Sequence, residues 1–299
     1  MTRRAKSTVC LFLTAFIWGV AFVAQRVGAD LIGSFTFTGV RFAMGAAVLV
    51  PVFLLLERDT GDAARRKRTL LSGLGGGVIL FIASNLQQFG VALTGSAGKA
   101  GFITGLYIVL VPILGVFMRK TPAWPTWVGA VLACGGMYFL SASEGLFSIG
   151  IGDIVLLIGA LFWAVHIILV DRFALDVNAI RFSCTQFFTC SVLSLISAFL
   201  FEEVTMSGLM EARWPLLYAG LLSVGIAYTL QIFGQRGVEP GRAAIIFSLE
   251  SVFSAIGAAL LIGEFLTLQG YIGCLCILAG ILASQITVGK QKRECGQAV

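Results

Sequence analysis

Uncharged apolar stretches recur from one end of the chain to the other, and this recurrence constrains the fold more than any other feature. They cover 8–25, 34–56 (interrupted by Arg41), 70–93, 100–118, 123–141, 154–170, 182–201, 214–235, 241–263 (interrupted by Glu250, with Arg242 at its start) and 265–288. A helix crosses the hydrocarbon core of a bilayer in about 20 residues. Lipid offers backbone groups no hydrogen-bond partner, so each stretch must satisfy its own amides as a helix. The expected fold is therefore an all-α integral membrane protein with ten transmembrane helices. Ten spans would take about 200 residues, which leaves short connections and no room for a separate soluble domain. Charged residues make up 12% of the chain, half the ~25% of soluble proteins. A water-soluble enzyme and a disordered chain are both excluded.

The first stretch follows Arg3, Arg4 and Lys6, as the core of a signal peptide would. It runs uncharged from Ser7 to Gln25, longer than the about 7–15 residues of such a core, and a later segment repeats it. It is expected to remain as span one. With the N-terminus inside, the basic groups at 3–6, 58–68, 119–120, 172–181, 236–242 and 290–293 all reach the cytoplasmic side, seventeen of the 21. Positive charge marks that side in membrane proteins, so both termini are expected there, in a bacterial-type inner membrane. The net charge of +6 is then an orientation signal and implies no nucleic-acid partner. The seven cysteines have neither metal-knuckle nor redox spacing and read as small buried hydrophobes. Gly75-Gly76-Gly77 lacks the Lys-Ser/Thr of a phosphate loop. No cofactor, metal site or ATPase subunit is expected.

The sequence also matches itself. Ala83-Ser-Asn-Leu-Gln-Gln-Phe-Gly90 corresponds to Ala227-Tyr-Thr-Leu-Gln-Ile-Phe-Gly234, and Gly98-Lys99-Ala100 to Gly241-Arg242-Ala243. Ala15-Phe-Ile-Trp18 corresponds to Ala160-Leu-Phe-Trp163, Val40-Arg41-Phe42 to Ile180-Arg181-Phe182, and Gly129 with Gly136 to Gly273 with Gly280. Two units are expected, residues 1–143 and 144–299, with five spans each. An odd number of spans inverts the second unit, and inverted repeats of this kind build transporters that alternate access between the two sides.

Polar groups inside spans are costly, so each is a site candidate. Glu250 lies near the middle of the ninth stretch, and its first-half counterpart is Tyr107. Inversion would set the two at matching depths around a central cavity, with Glu250 a candidate for proton coupling or for anchoring a substrate amine. Its alternative role is a hydrogen bond that only holds helices together. Arg41 and Glu264 are expected to form a structural ion pair. Trp18 and Trp163 occupy equivalent places too deep for an interfacial belt. Asn85 with Gln88, and Tyr228 with Gln231, are three apart and so share helix faces, where they could hydrogen-bond a substrate or merely join helices. His166, the only histidine, lies one turn beyond Trp163 and is a further candidate for the pathway. Ala97, Gly101 and Gly105, and Gly73 with Gly77, form small-residue stripes suited to close helix contact.

Leu249-Glu-Ser-Val-Phe-Ser-Ala-Ile-Gly-Ala-Ala-Leu-Leu-Ile-Gly-Glu264 is similar to the ninth-span signature of the EamA branch of the drug/metabolite transporter superfamily, an L-E-P-V-F-A-A run followed by L-G-E. Trp18-Gly19 and Arg41-Phe42 also fit. Ser251 stands where the family usually has proline, which puts a ninth-helix kink in doubt, while Pro112 remains in the first half. The resemblance implies inner-membrane export of small metabolites, often amino acids or their derivatives. The partners expected are such a small-molecule substrate, the lipid bilayer and protons as a candidate coupling ion, with the protein a monomer or a homodimer. A planar cargo such as a nucleobase or vitamin is the alternative, and a non-transporting membrane sensor a more distant one. An enzyme acting on lipid-linked substrates would want clustered acids or histidines at one membrane face, where this chain offers mainly arginine and lysine.

Overall fold

The computed structural model describes residues 3–56, 63–118, 122–142, 150–173, 176–262 and 267–284, and helices are the regular structure among them. Arg58, Arg119, Lys120, Glu144, Glu264, Lys290, Lys292 and Arg293 lie outside the described residues. The expected Arg41–Glu264 pair and part of the charge pattern fall there with them.

Helices α1 (Arg3–Ala29), α2 (Ser34–Leu56) and α3 (Ala63–Thr94) are continuous rods. The next rod is split into α4 (Ala97–Gly105) and α5 (Tyr107–Phe117), and α6 (Trp124–Ala142) follows. Helices α7 (Ile151–Phe173) and α8 (Ala179–Phe201) are again continuous. After the short α9 (Met206–Glu211), one rod is composed of α10 (Arg213–Leu217), a π-helical segment (Tyr218–Ala227) and α11 (Tyr228–Gln235). Another is split into α12 (Pro240–Phe247) and α13 (Leu249–Ile262), and α14 (Leu268–Ser284) comes last. Eight of these rods are long and apolar enough to cross a membrane, and α14 is a shorter apolar helix. Gly95 takes a positive φ of 65° where α3 ends, a conformation that glycine adopts without steric cost.

The distribution of polarity is that of a protein in lipid. Val131, Phe199, Phe201 and Leu282 are 70% exposed or more, whereas Gln88, His166, Gln186 and Gln231 are fully buried. Burying apolar side chains drives no association between helices already in lipid, so close packing and internal hydrogen bonds carry the assembly. The small-residue stripes supply the packing. Cβ atoms at Gly73 and Gly77 would lie 2.7 and 2.5 Å from the Cβ atoms of Thr185 and Thr189, which draws α3 onto α8.

Contacts between the halves repeat with the partners exchanged. A Cβ at Gly90 would strike Leu156 at 2.3 Å, and one at Gly234 would strike Leu11 at 2.4 Å; both members of the second contact are the counterparts of those in the first. Helices α6 and α14 run antiparallel, with Gly129 against the Gly280 carbonyl and Gly136 against the Gly273 carbonyl. Residues on the axis of such an exchange meet their own counterparts. Trp18 meets Trp163 with ring centroids 6.3 Å apart, and Phe42 meets Phe187 at 5.8 Å.

Two details differ from the sequence expectation. The Val40-Arg41-Phe42 match to Ile180-Arg181-Phe182 is out of register. Arg181 sits in the first turn of α8, its amide donating to the Asn178 side chain, while Arg41 lies two turns into α2; in space, Phe42 answers to Phe187. The ninth-span rod is also broken despite Ser251. Ser248 interrupts it, its hydroxyl donating to the Ile245 carbonyl at 2.7 Å, and the Ser251 amide bonds back three residues to Ser248. A serine that competes for helix carbonyls does here what a proline does elsewhere. The α4–α5 rod breaks at the corresponding depth, where Leu106 bonds back to Ile103 and Val109 to Leu106.

Candidate functional site

The two breaks face each other across the middle of the bundle and begin the half-helices that carry Tyr107 and Glu250. The Tyr107 hydroxyl donates to Glu250 Oε1 at 2.8 Å, and both residues are 3% exposed. An acid at this depth is tolerable only with such a partner. Tyr107 and Glu250 are repeat counterparts, so this bond also lies where the halves exchange.

Around the bond is a cavity of about 30 Å³, lined by α1, α2, α3, α4, α5, α7, the π segment, α11 and α13. Six of the nine expected pathway residues line it: Trp18, Tyr107, Trp163, Tyr228, Gln231 and Glu250. Its aromatic wall is tightly organised. Trp163 stacks with Tyr228 at 6.1 Å and 26°, Trp18 approaches Tyr228 edge-on at 4.8 Å, and Phe247 lies 5.3 Å from Trp18. The Trp18 indole donates to the Ser223 carbonyl at 3.3 Å. That carbonyl belongs to the π segment, and π turns are frequent at functional sites.

The other three expected residues lie outside the lining. Asn85 turns to α8, donating to Ser194 at 2.9 Å and to Phe81 in its own helix. Gln88 turns to α1 and donates to the Gln25 carbonyl at 3.1 Å. His166 bonds Gln186 at 3.0 Å behind Trp163, which it meets edge-on at 5.9 Å. A spacing of three keeps residues within about 60° on a helix, too coarse to say which of two neighbouring helices each amide will meet.

Sequence reasoning missed Gln25, Gln87 and Thr104, and it assigned Arg41 elsewhere; all four line the cavity. Gln25 and Gln87 carried a usable signal as amides at the same end of their spans. Arg41 is 3% exposed, lies against the rings of Phe37 and Phe42 at 5.6 and 5.2 Å, and pairs with no acid among the described residues.

The two ends of the cavity differ. At one end Gln87 donates to Gln25 Oε1 at 3.0 Å, Gln88 holds the Gln25 carbonyl, and Arg26 donates to the Gly95 carbonyl at 2.8 Å while pairing with Asp30. At the other end is a cleft of about 600 Å³ lined by residues including Val111, Met118, Asp171, Gln235, Arg236 and Glu239. Tyr107 and Val111, like Gln231 and Gln235, lie four residues apart, about 6 Å along their helices, the first of each pair lining the cavity and the second the cleft.

Known proteins match this chain along nearly its whole length. The model of the EamA-like transporter family matches twice, over residues 6–142 and 150–284. A protein of Archaeoglobus fulgidus named an uncharacterized transporter is 30% identical over 287 residues, covering 96% of this chain and 88% of its own. The inner membrane transporter YedA of Escherichia coli K12 is 24% identical, with 94% and 90% covered. The threonine/homoserine exporter RhtA of the same organism is 26% identical, with 95% and 92% covered. A crystal structure superimposes with a TM-score of 0.78 at 19% identity, covering 94% of this chain and 98% of its own.

Proposed function

The chain belongs to the EamA-like transporter family and is a multi-pass membrane transporter, and from that premise we propose that it exports small polar metabolites, amino acids or their derivatives, by alternating access. The units that exchange are residues 1–143 and 144–299, inverted about an axis through the Tyr107–Glu250 bond. The observation that carries this reading is that bond, made by counterpart residues at the breaks of two discontinuous rods. Discontinuous helices meeting at mid-depth are how transporters expose backbone and side-chain groups to a cargo. Glu250 serves as the coupling acid, with Tyr107 its hydrogen-bond partner and a substrate amine its competitor. Trp18, Trp163, Tyr228 and Gln231 form the rest of the contact surface, while Gln88, Asn85 and His166 support it from neighbouring helices.

With both termini cytoplasmic, the Gln25–Gln87 end faces outward and the 600 Å³ cleft faces the cytoplasm. The conformation is then closed outside and receptive inside, as an exporter awaiting cargo requires. The exporter named for threonine and homoserine among the relatives supports the amino-acid class. A second reading keeps the site and changes the cargo. The Trp163 and Tyr228 rings, stacked at 26°, would offer faces to a planar ring such as a nucleobase or a vitamin once the site opens.

The test is release from proteoliposomes loaded with amino acids, nucleobases and vitamins, with and without an imposed pH gradient. Amino acids are expected to leave faster than from protein-free liposomes, with a gradient effect that Glu250→Gln abolishes. Release of planar compounds alone would move the assignment to the second reading. Release of nothing from folded, inserted protein would refute the exporter function.

A further inference from the structure

Arg41 is the one strongly charged group of the cavity that the Tyr107–Glu250 bond leaves unused. It sits in α2, is 3% exposed and lines the same cavity as Glu250. Its Nε has no hydrogen-bond partner, and no carboxylate among the described residues pairs with it. Its close neighbours are the rings of Phe37 and Phe42, at 5.6 and 5.2 Å. Those rings support the cation and accept no directed hydrogen bond from its edge. A guanidinium carries five N–H donors in a planar fork and stays charged under all working conditions. A buried group of that kind with no acceptor among the described residues is rare, and inside a membrane it marks a ligand or ion path.

Resting on the transport function proposed above, we infer that Arg41 is the subsite for a carboxylate, so that the cargo is a zwitterion held between the Arg41 guanidinium and the Glu250 carboxylate. The cavity then presents one cation and one anion to a molecule that carries one of each. The fork matches the two oxygens of a carboxylate in a bidentate pair. Tyr228 and the two tryptophans close the sides of the site and exclude water, which strengthens both charge contacts. A neutral planar cargo would offer the guanidinium no carboxylate, and a simple amine would use Glu250 alone. The geometry therefore selects amino acids over both. At about 30 Å³ the cavity is too small for any amino acid, so the cargo enters as the halves part.

The test uses the full-length protein in proteoliposomes loaded with an equimolar pool of the twenty common amino acids together with uracil. The amino acid that leaves fastest is then compared with its own primary amide, all fluxes being corrected for protein-free liposomes. The wild-type protein is expected to prefer the acid over the amide by roughly tenfold or more, the usual weight of a hydrogen-bonded charge. In Arg41→Gln the preference should fall to about one through loss of acid flux, with amide flux retained; Arg41→Lys should fall between. Thermal stability in detergent reports folding, and if Arg41→Gln does not fold, the Arg41→Lys ratio decides. Equal transport of acid and amide by the wild type would overturn the carboxylate subsite while leaving transport intact. So would equal losses of both fluxes in the folded variants, which would make Arg41 structural, and so would export of uracil alone. Release of nothing by folded wild-type protein would instead defeat the transport function itself, and this subsite with it.

Discussion

Glu250 and Tyr107 share a hydrogen bond at the centre of the molecule, and the roles proposed for them are separable by mutation. The Tyr107 hydroxyl donates to Glu250 Oε1, so a cargo amine would have to displace it or take the other oxygen. Tyr107→Phe leaves the carboxyl in place and removes its donor, whereas Glu250→Gln keeps a polar group of the same shape that carries no exchangeable proton near neutrality. If Glu250 couples transport to protons, the pH dependence of flux disappears in Glu250→Gln, and in Tyr107→Phe it persists with a displaced midpoint and a rate lowered about tenfold, as expected for a lost hydrogen bond to a charged group. Flux measured from pH 5 to 9 checks this, and an unchanged profile in Glu250→Gln would remove the coupling role. At this scale the sequence was only partly legible. Trp18, Trp163 and Glu250 could be read from depth alone, because a polar or aromatic residue far from a span end has few places to go. The directions of Asn85, Gln88 and His166 depend on which neighbour each helix meets, and spacing along one helix does not carry that information.

The elements were more legible, because a duplicated sequence must place duplicated contacts. The matches of Ala83–Gly90 with 227–234, and of Gly129 and Gly136 with Gly273 and Gly280, foretold helix pairs that recur under exchange. What stayed hidden is the way each half departs from the other. The break at Ser248 has no proline to announce it, and the Tyr218–Ala227 π segment stands where α3 is plain α-helix. The α6–α14 contact yields a sharp prediction. A methyl group at Gly129 would lie 2.7 Å from the Gly280 carbonyl oxygen, and backbone cannot move aside as a side-chain end does. Gly129→Ala should therefore cost about 1–3 kcal/mol, the usual penalty of overpacking. A Cβ at Gly75 meets nothing within 4 Å, so Gly75→Ala should be neutral or stabilising by up to about 1 kcal/mol through helix propensity. Thermal unfolding of the two variants in one detergent compares them directly, and equal shifts would contradict the close packing of α6 on α14.

For the whole molecule, the closed end and the open end differ in chemistry as well as in shape. Gln25 is the hub of the closed end, accepting from Gln87 through its side chain and from Gln88 through its carbonyl. Its counterpart in the second half is Val170, which offers no side-chain acceptor, and both polar atoms of the buried Gln231 amide, the counterpart of Gln87, have no partner among the described residues. The two halves thus carry unequal latches, and if those latches set the resting state of the proposed transport cycle, closure at the Gln25 end is favoured. Side-chain hydrogen bonds between membrane helices are worth about 0.6 kcal/mol each on average. Gln25→Val removes the side-chain bond directly and weakens the α1–α3 contact around it, so the open-to-closed ratio at that end should rise a few-fold, to about tenfold at most. A cysteine at Ala21, which lines the cavity, reports the change once the native cysteines are replaced. Labelling by an impermeant maleimide from outside should speed up by that factor in Gln25→Val, while Gln87→Val gives the same result and Asn85→Val, on the α8 side, gives none. Equal labelling in all three would mean that closure rests on the Arg26–Gly95 contact or on packing alone, and that the amide asymmetry between the halves does not set which way the transporter faces at rest.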